Sequence, residues 1–358
     1  MPFRVLSIDG GGMRGIYAAA YLGALERGFV SRHAVDSLDI GKGFDLITGT
    51  STGAIIGCAL AKGVPPPEIV KLYKEHGPNI FPVKVPGSFG FDLLSQLRNR
   101  KKHLQNGEQA LRDALTAVFG TTTLGQMWSS RGIPMAIPAV KMSNYKPYLF
   151  KTPHNHKSDG RDSDYTLVDV CLASSAAPIY RSLAAIDHPS GEGHNVFADG
   201  GLWANNPVVV ALIEALRILK ERDTLDREIE IFCLGSCSKP EGDTVKKGET
   251  ARGLAEWKFG GEAASLALVT QGHAYDLMIN FLLPHLKTKV RVIPFPTEPI
   301  PKSLMKYLDL DETSTEGLDA LVEKARTDAS KANSDIQHGT GHGPLIEALF
   351  TSMLPPAQ

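Results

Sequence analysis

The order of apolar and polar positions predicts an alternation of strands and helices over the first two thirds of the chain. Short apolar runs rich in β-branched residues have the length of buried strands, whereas longer runs with apolar residues three and four apart have helical periodicity. Strands are predicted at residues 3–8, 44–48, 133–140, 148–151, 195–198 and 229–234. Helices are predicted at residues 16–27, 54–61, 68–76, 168–177 and 208–220. Such alternation favours an α/β sheet with helices on both faces.

Two stretches depart from this alternation. Residues 77–107 contain several prolines and glycines and a basic run, so we expect an irregular, mobile flap there. Past residue 240 we expect helical structure over 251–283, one strand at 289–294 and a polar tail. The composition shows no linker, so the sequence predicts a single domain. We divide it into a core, 1–240, and a mostly helical C-terminal extension, 241–358, of the same domain.

The stretch "FDLITGTSTGAIIGCALA", residues 44–61, places Ser51 between Gly49 and Gly53 where a predicted strand meets a predicted helix. The spacing G-x-S-x-G in this context is typical of a nucleophile elbow, a tight turn that exposes the serine Oγ. The flanking glycines remove the Cβ atoms that would collide in such a turn. The alternative is an ordinary loop rich in glycine, serine and threonine.

A second glycine-rich stretch, "DGGGMRG", follows the first predicted strand and precedes a helix. Gly10, Gly12 and Gly15 satisfy G-x-G-x-x-G, which is also the dinucleotide-binding fingerprint. A nicotinamide enzyme needs an acidic residue at the end of a second strand about 20 residues further on. Asp36 and Asp39 are in range, but no predicted strand precedes them. The rival hypothesis is therefore a non-catalytic or nucleotide-binding α/β protein.

The same loop also has the composition of an oxyanion hole. Successive glycines leave their N–H groups uncovered, so a developing negative charge can approach the backbone closely. A preorganised donor of this kind is worth about 3–4 kcal/mol in acyl transfer. Arg14 is either a brace that bonds to carbonyl groups of this loop or a solvated surface arginine.

The base that activates Ser51 is a histidine or an aspartate. An ordinary α/β-hydrolase uses a later histidine, and the candidates are His194, His273, His285, His338 and His342. Asp199 is the alternative, because it ends a predicted strand at the sheet edge where α/β proteins build their sites. Its reference pKa of about 3.9 suits a base poorly, so partial desolvation is needed to raise it. The alternative is that Asp199 is an ordinary turn residue before Gly200 and Gly201, without a catalytic role.

Taken in order, these motifs resemble the patatin-like phospholipases. The resemblance rests on DGGGMRG (9–15), GTSTG (49–53) and DGG (199–201), with "CLASSAAPIY" (171–180) and "DGGLWANNP" (199–207) as further similar segments. It covers roughly residues 3–240. It implies a three-layer α/β/α fold and lipid acyl hydrolysis through an acyl-enzyme.

The resemblance also assigns residues to roles. It implies Ser51 as the nucleophile, Asp199 as the base and the backbone of Gly10, Gly11 and Gly12 as the oxyanion hole. The supporting motif positions are Arg14, Gly15, Gly49, Gly53, Gly200 and Gly201. It implies no cofactor, and the sequence shows no metal-ligand cluster. The resemblance therefore implies a phospholipase A-type enzyme acting on membrane phospholipid.

A compact chain of this length is similar to bacterial antiviral effectors that cyclic dinucleotides switch on. The implied partners are therefore a membrane phospholipid and a cyclic dinucleotide activator, and a homo-oligomer is allowed. The expected gate is residues 77–107, whose basic cluster of Arg98, Arg100, Lys101 and Lys102 either binds phosphate or forms a solvated charged face. An ungated lipid hydrolase is the alternative within the same class.

Composition narrows the surroundings in which the protein works. Apolar residues make up 42% and charged residues 22% of the chain, and the net charge of −1 gives no global attraction to nucleic acid. The N-terminal stretch lacks a signal-peptide pattern. The cysteines, Cys58, Cys171, Cys233 and Cys237, form no C-x-x-C pair, which is typical of reduced thiols. We therefore expect a cytoplasmic protein that acts at the inner face of the membrane.

Overall fold

One sheet organises the computed structural model, which describes residues 1–85, 93–156, 160–191, 193–238, 245–253, 256–257, 260–296 and 298–354. Within these residues eight strands form the sheet. They are β1 (Phe3–Ile8), β2 (Leu46–Gly49), β3 (Met135–Lys141), β4 (Lys146–Lys151), β5 (Ala184–Asp187), β6 (His194–Asp199), β7 (Ile229–Leu234) and β8 (Val290–Phe295).

The strand order places β1 and β2 in the middle of the sheet. The order is β5-β6-β3-β2-β1-β7-β8, with β4 paired to β3 outside this path. Strands β3, β2, β1, β7 and β8 run parallel, whereas β4 and β6 are antiparallel to β3. All six residues of β1 are buried, as expected for a parallel strand covered on both faces. The carboxyl ends of β1 and β2 therefore lie side by side.

Helices cover both faces of this sheet. They are α1 (Gly15–His33), α2 (Thr52–Lys62), α3 (Pro66–Ile80), α4 (Leu93–Phe119), α5 (Leu124–Arg131), α6 (Leu167–Ser174), α7 (Gly201–Ala204), α8 (Val208–Glu221), α9 (Gly261–Leu282), α10 (Thr315–His338) and α11 (Gly343–Thr351). Side-chain caps explain several of the starts. Thr123 forms a capping box with Gln126 at α5, and Ser314 accepts from the Gly317 N–H at α10.

The alternation of side chains along β1 separates two hydrophobic cores. Leu6 and Ile8 belong to the larger core with helices α1, α2, α3, α4, α6 and α10. Phe3 and Val5 belong to a second core on the opposite face, built mainly with α8. Because a strand points successive side chains to opposite faces, one apolar strand joins both layers. The predicted three-layer α/β/α fold is confirmed.

The expected irregular segment at 77–107 is wrong over most of its described length. Helix α3 continues to Ile80, and α4 begins at Leu93, so the basic run lies on a helix. Leu111 and Leu115 of α4 are buried, while Arg98, Lys101 and Lys102 are exposed. The helix is amphipathic, and this pattern outweighs the nearby prolines and glycines. Residues 86–92 of the expected gate lie outside the described residues.

The expected polar tail also forms structure. Helix α10 packs along α1, and Leu318, Leu321 and Ala325 are buried in the larger core. The Tyr17 hydroxyl donates to Asp328 Oδ2 at 2.5 Å across the same contact. Strand β8 extends the sheet beyond β7. The residues past 240 therefore contribute to both the sheet and the larger core, and the division at that residue stays a prediction.

Candidate active site

Ser51 lies in a two-residue turn between β2 and α2. Its backbone angles are φ 56° and ψ −119°, a conformation that non-glycine residues rarely adopt. A Cβ at Gly49 would overlap the carbonyl of Gly53, and a Cβ at Gly53 would overlap the carbonyl of Ile8. The turn is therefore tight enough to need glycine on both sides. The Ser51 N–H donates to Ser174 Oγ at 2.9 Å, which anchors the turn to α6.

Asp199 ends β6 and faces this turn. Its carboxylate accepts a hydrogen bond from the Gly201 N–H at 2.7 Å and lies beside the Ser51 side chain, which interacts with it. A Cβ at Gly200 would overlap the carbonyl of Pro138, so the chain turns here against β3. Asp199 is 2% exposed and Ser51 is 8% exposed. The structure thus brings together two residues that are 148 positions apart in the sequence.

Burial sets the acidity of this carboxyl group. Desolvation raises the pKa of Asp199 from 3.8 to about 6, against the opposing effects of the Gly201 N–H, the Ser51 hydroxyl and the Arg181 charge. A carboxylate with this pKa is mostly ionised at neutral pH and is a stronger base than an exposed aspartate. Its pKa therefore lies close to the range in which a general base works well.

The glycine loop lies beside Ser51, and its N–H groups have different partners. The Gly10 N–H donates to the Asn205 carbonyl at 2.8 Å, while Ser236 Oγ donates to the Gly10 carbonyl at 2.7 Å. The N–H groups of Gly11 and Gly12 have no hydrogen-bond partner within the part of the chain that the structure describes. Gly12 has φ 56°, and a Cβ there would overlap the carbonyl of Leu310. Two uncovered donors therefore remain in the loop.

Arg14 is a brace of this loop. It is 4% exposed, and its Nε donates to the Gly11 carbonyl at 3.2 Å. Its Nη1 donates to the Leu308 carbonyl at 3.2 Å. The alternative of a solvated surface arginine is excluded by this burial. Gly15 follows at the start of α1, where a Cβ would overlap Thr52 and crowd the Tyr73 hydroxyl.

A cleft of about 630 Å³ opens onto Ser51, Asp199 and the glycine loop. Most of its wall is apolar, and the apolar residues are Met13, Ile55, Leu72, Ile80, Phe81, Leu111, Ala177, Leu268 and Leu310. Its charged lining residues are Asp199 and Arg181. A narrow apolar cleft that ends at a serine and a carboxylate is suited to an ester of a long acyl chain.

The competing hypotheses for the base and the loop find no support in the structure. All eleven histidines are described, and none of them lines the cleft. His338 is exposed at the end of α10, where its ring Nδ1 forms a hydrogen bond with the carbonyl oxygen of Ser334. For a dinucleotide enzyme, the strand after α1 leads into Ser51 instead of an acidic residue. Asp39 forms an ion pair with Arg131 at 2.6 Å, so its carboxylate already has a partner.

Several residues around the site had no role in the sequence analysis. Ser174 anchors the Ser51 N–H, Asn205 receives the Gly10 N–H, and Arg181 lines the cleft. Their segments, "CLASSAAPIY" and "DGGLWANNP", were singled out as family-like, but neither pattern indicates which side chain or carbonyl points at the site. Arg181 directly follows the first of these segments.

No group of three or more His, Cys, Asp or Glu residues is placed to hold a metal ion within the described residues. Among the helices that the structure describes, none is both long and apolar enough to cross a bilayer.

Comparison with known proteins identifies the family. The sequence model of the patatin-like phospholipase family matches residues 6–212, a range that contains Ser51, Asp199 and the glycine loop. The chain therefore belongs to the patatin-like phospholipase family and is a lipid hydrolase.

Individual relatives cover most of the chain. It is 30% identical over 326 residues to a cGAMP-activated phospholipase of Escherichia coli (strain TW11681), an alignment that spans 90% of this chain and 87% of the relative. A cGAMP-activated phospholipase of Pseudomonas aeruginosa (strain BWHPSA011 / Pa011) is 34% identical over 281 residues, 78% of this chain and 74% of the relative. Patatin-like protein 1 of Arabidopsis thaliana is 26% identical over 333 residues, 87% and 75% of the two chains.

Proposed function

We propose that the chain is a phospholipase A-type enzyme with a Ser51–Asp199 dyad, acting on membrane phospholipids and switched on by a cyclic dinucleotide. The observation that carries the proposal is the position of the Ser51 hydroxyl beside the buried carboxylate of Asp199 in an apolar cleft. A serine hydroxyl needs an adjacent base to become a good nucleophile. Asp199 is the base in contact with it.

The proposed reaction has two halves. Ser51 Oγ attacks the ester carbonyl while its proton passes to Asp199. The tetrahedral intermediate then collapses, the bond to the lysophospholipid oxygen breaks, and that oxygen takes the proton from Asp199. In the second half, water attacks the acyl-Ser51 ester and gives its proton to Asp199. The free fatty acid leaves, and Ser51 recovers its proton.

The oxyanion of each tetrahedral intermediate is assigned to the N–H groups of Gly11 and Gly12. These donors have no partner within the described residues, and they border the same cleft as Ser51. The Gly10 N–H, which was expected to take part, instead holds the loop to Asn205. Loss of one such donor typically lowers kcat by about 10²–10³-fold.

The regulatory part of the proposal rests on the relatives and on helix α4. Two relatives carry names that describe activation by cGAMP. The exposed residues Arg98, Lys101 and Lys102 of α4 present three positive charges to phosphate groups. Such an enzyme in the cytoplasm would attack the membrane of its own cell unless it were held inactive. This control is consistent with a role in antiviral defence, and the proposal allows a homo-oligomeric active form.

The test uses the purified full chain and phospholipid vesicles, with release of free fatty acid as the measurement. We expect low basal hydrolysis and a saturable increase with cGAMP. Ser51→Ala and Asp199→Asn should each abolish the increase without unfolding the protein. A double variant should be little worse than either single variant, because nucleophile and base act as a unit.

The outcomes separate the parts of the proposal. Full activity of the wild-type protein without nucleotide, unchanged by any cyclic dinucleotide, would leave an ungated lipid hydrolase. Loss of activity in His338→Ala or His342→Ala, with Asp199→Asn still active, would overturn the dyad.

A further inference from the structure

A second, smaller cavity adjoins the catalytic cleft. It has a volume of about 240 Å³ and shares Ile80, Phe81, Tyr180 and Arg181 with the cleft. The rest of its wall comes from Pro82, Val83, Arg100, His103, Leu104 and Gly107. It therefore opens between the end of α3 and helix α4, next to the site that holds Ser51.

Among the residues that the structure describes, the ionisable side chains in the wall of this side cavity are all of the basic type. Arg100, His103 and Arg181 line it, and no carboxylate of the described residues does. Within the described residues, neither arginine forms an ion pair with an acidic side chain. Buried arginines without a carboxylate partner are uncommon, because removing a cation from water is unfavourable unless an anion compensates it.

Arg181 is the residue that both cavities share. It is 8% exposed, and its guanidinium donates one long hydrogen bond, Nη2 to the Gly107 carbonyl at 3.5 Å. Burial lowers the pKa of Arg181 to about 10, although the charges of Glu108 and Asp199 act in the opposite direction. The group is therefore cationic at neutral pH and lies 5.7 Å from the centre of the Phe81 ring, and most of its five N–H donors have no acceptor among the described residues.

His103 and Arg100 complete the basic wall. The Nδ1 of His103 is buried and has no hydrogen-bond partner within the described ranges. Arg100 donates to the carbonyls of Val83 at 2.9 Å and Ile179 at 2.8 Å, and burial lowers its pKa. These bonds fix the guanidinium and leave its remaining N–H groups available.

The backbone is strained two residues before Arg181. Ile179 has φ 74°, which is a true outlier for a β-branched residue. Such a conformation persists only where the surrounding structure enforces it, and it is concentrated at ligand-binding and catalytic sites. The Arg100 bond to the Ile179 carbonyl is one such constraint.

From this geometry we infer that the side cavity is a phosphodiester subsite, in which Arg181, Arg100 and His103 bind the phosphate group of the substrate lipid. The inference rests on the proposed phospholipase function and goes beyond it by naming the residues that recognise the headgroup. A phospholipid carries its phosphate only a few bonds from its ester carbonyl groups, so a cavity sharing Arg181 with the Ser51 cleft suits it. Guanidinium groups match phosphate oxygens in both charge and geometry.

The test compares two substrates that differ in the phosphate headgroup alone, dihexanoylphosphatidylcholine and dihexanoylglycerol. Kinetics are measured at pH 8 with saturating cGAMP for the wild type, Arg181→Gln, Arg181→Lys and His103→Gln. Arg326→Gln, an exposed arginine on α10, is the matched control. We expect Arg181→Gln to lower kcat/KM for the phospholipid about 10- to 100-fold, the usual factor for a charge-assisted hydrogen bond. Because Arg181 also lines the Ser51 cleft, the deciding quantity is the ratio of kcat/KM for the phospholipid to kcat/KM for dihexanoylglycerol, which should fall by a similar factor.

The other variants make the result independent of folding. Arg181→Lys should recover part of the phospholipid activity, and His103→Gln should show a smaller loss in the same direction. Equal losses on both substrates, or no loss on either, would overturn the subsite. Thermal unfolding of each variant shows whether a loss on both substrates comes from a damaged fold. If Arg181→Gln is unfolded, the comparison of the two substrates in His103→Gln, which leaves Arg181 in place, decides whether the subsite exists.

Calorimetric titration separates the two sources of a phosphodiester and also separates this inference from the proposed function. If wild-type protein binds dihexanoylphosphatidylcholine and Arg181→Gln does not, the lipid subsite is supported even when no hydrolysis is seen. If Arg181→Gln loses cGAMP binding instead, the cavity is a phosphodiester site for the nucleotide, and the lipid assignment is wrong. Unchanged binding of both ligands would overturn the inference.

Discussion

The pH dependence of hydrolysis tests the assignment of Asp199 as the base. Only the ionised carboxylate can accept the Ser51 proton, so activity should fall as the pH is lowered through the pKa of Asp199. Burial places that pKa at about 6, well above the value of 3.8 for an exposed aspartate. The structure therefore predicts an acidic limb at a pH where most carboxylates are already ionised.

The size of the effect follows from that value. With a pKa near 6, roughly 90% of Asp199 is ionised at pH 7 and roughly 10% at pH 5. We expect the rate to fall about tenfold between these two points and to reach a plateau above pH 7. The assay is kcat/KM for a short-chain phospholipid between pH 4.5 and 8.5, at constant ionic strength and with saturating cGAMP.

Four variants show whether the limb belongs to Asp199. The Arg181 charge lowers the pKa of Asp199, so Arg181→Gln should move the midpoint above 6. Arg326→Gln, His338→Ala and His342→Ala lie outside the cleft and should leave the midpoint where it is. A flat profile down to pH 4.5, or a midpoint that moves only in the histidine variants, would refute the reasoning.

Three further predictions use the same geometry. The folded state holds the Asp199 proton more tightly than the unfolded state, because burial raises the pKa of this carboxyl group. The stability that the bound proton contributes is lost as the pH rises from about 4 to 6, which lowers the free energy of unfolding by about 3 kcal/mol. The inactive variant Asp199→Asn should therefore unfold at a higher temperature than the wild type at pH 7. Hydrolysis should survive EDTA, since a serine nucleophile needs no metal; a loss restored by calcium would contradict this. Gly12→Ala should abolish hydrolysis because its Cβ meets the Leu310 carbonyl, whereas Gly339→Ala, also at positive φ but in open space, should keep full activity; equal activity in both variants would count against the loop's role.

The local elements of the site could be predicted from the sequence because their requirements are local. Strand β1 has the predicted bounds, 3–8, since a short apolar run flanked by glycine permits little else. The Ser51 turn could be predicted because it leaves no room for a Cβ at Gly49 or Gly53, and the sequence has glycine at both positions. The roles of Ser51 and Asp199 stay predictions until the variants are measured.

The remaining features depend on contacts between distant segments, which no local pattern encodes. The Gly10 N–H is used by Asn205, almost 200 residues away, so the number of free donors in the loop could not be read from "DGGGMRG". Helix α4 was missed because its charged run and nearby prolines hide an apolar face that only its packing against α3 and α6 makes evident. The place of Arg181 in the cleft was missed because no local sequence pattern indicates that an arginine at this position is buried.

The segment from Leu308 to Glu312 shows how the C-terminal third reaches the catalytic loop. The Met13 N–H donates to the Leu310 carbonyl at 2.9 Å, and Glu312 forms an ion pair with Lys84 at 2.5 Å. One short segment thus contacts both the glycine loop and the chain that leaves α3. A ligand activates only through a difference in its affinity for two states. An activator that binds away from Ser51 can act through this segment. If the activator binds one position of the segment more tightly than another, it changes the direction of the loop N–H groups. We therefore expect hydrolysis to require residues past 240, because a chain cut at that point would lose the contacts that hold the loop.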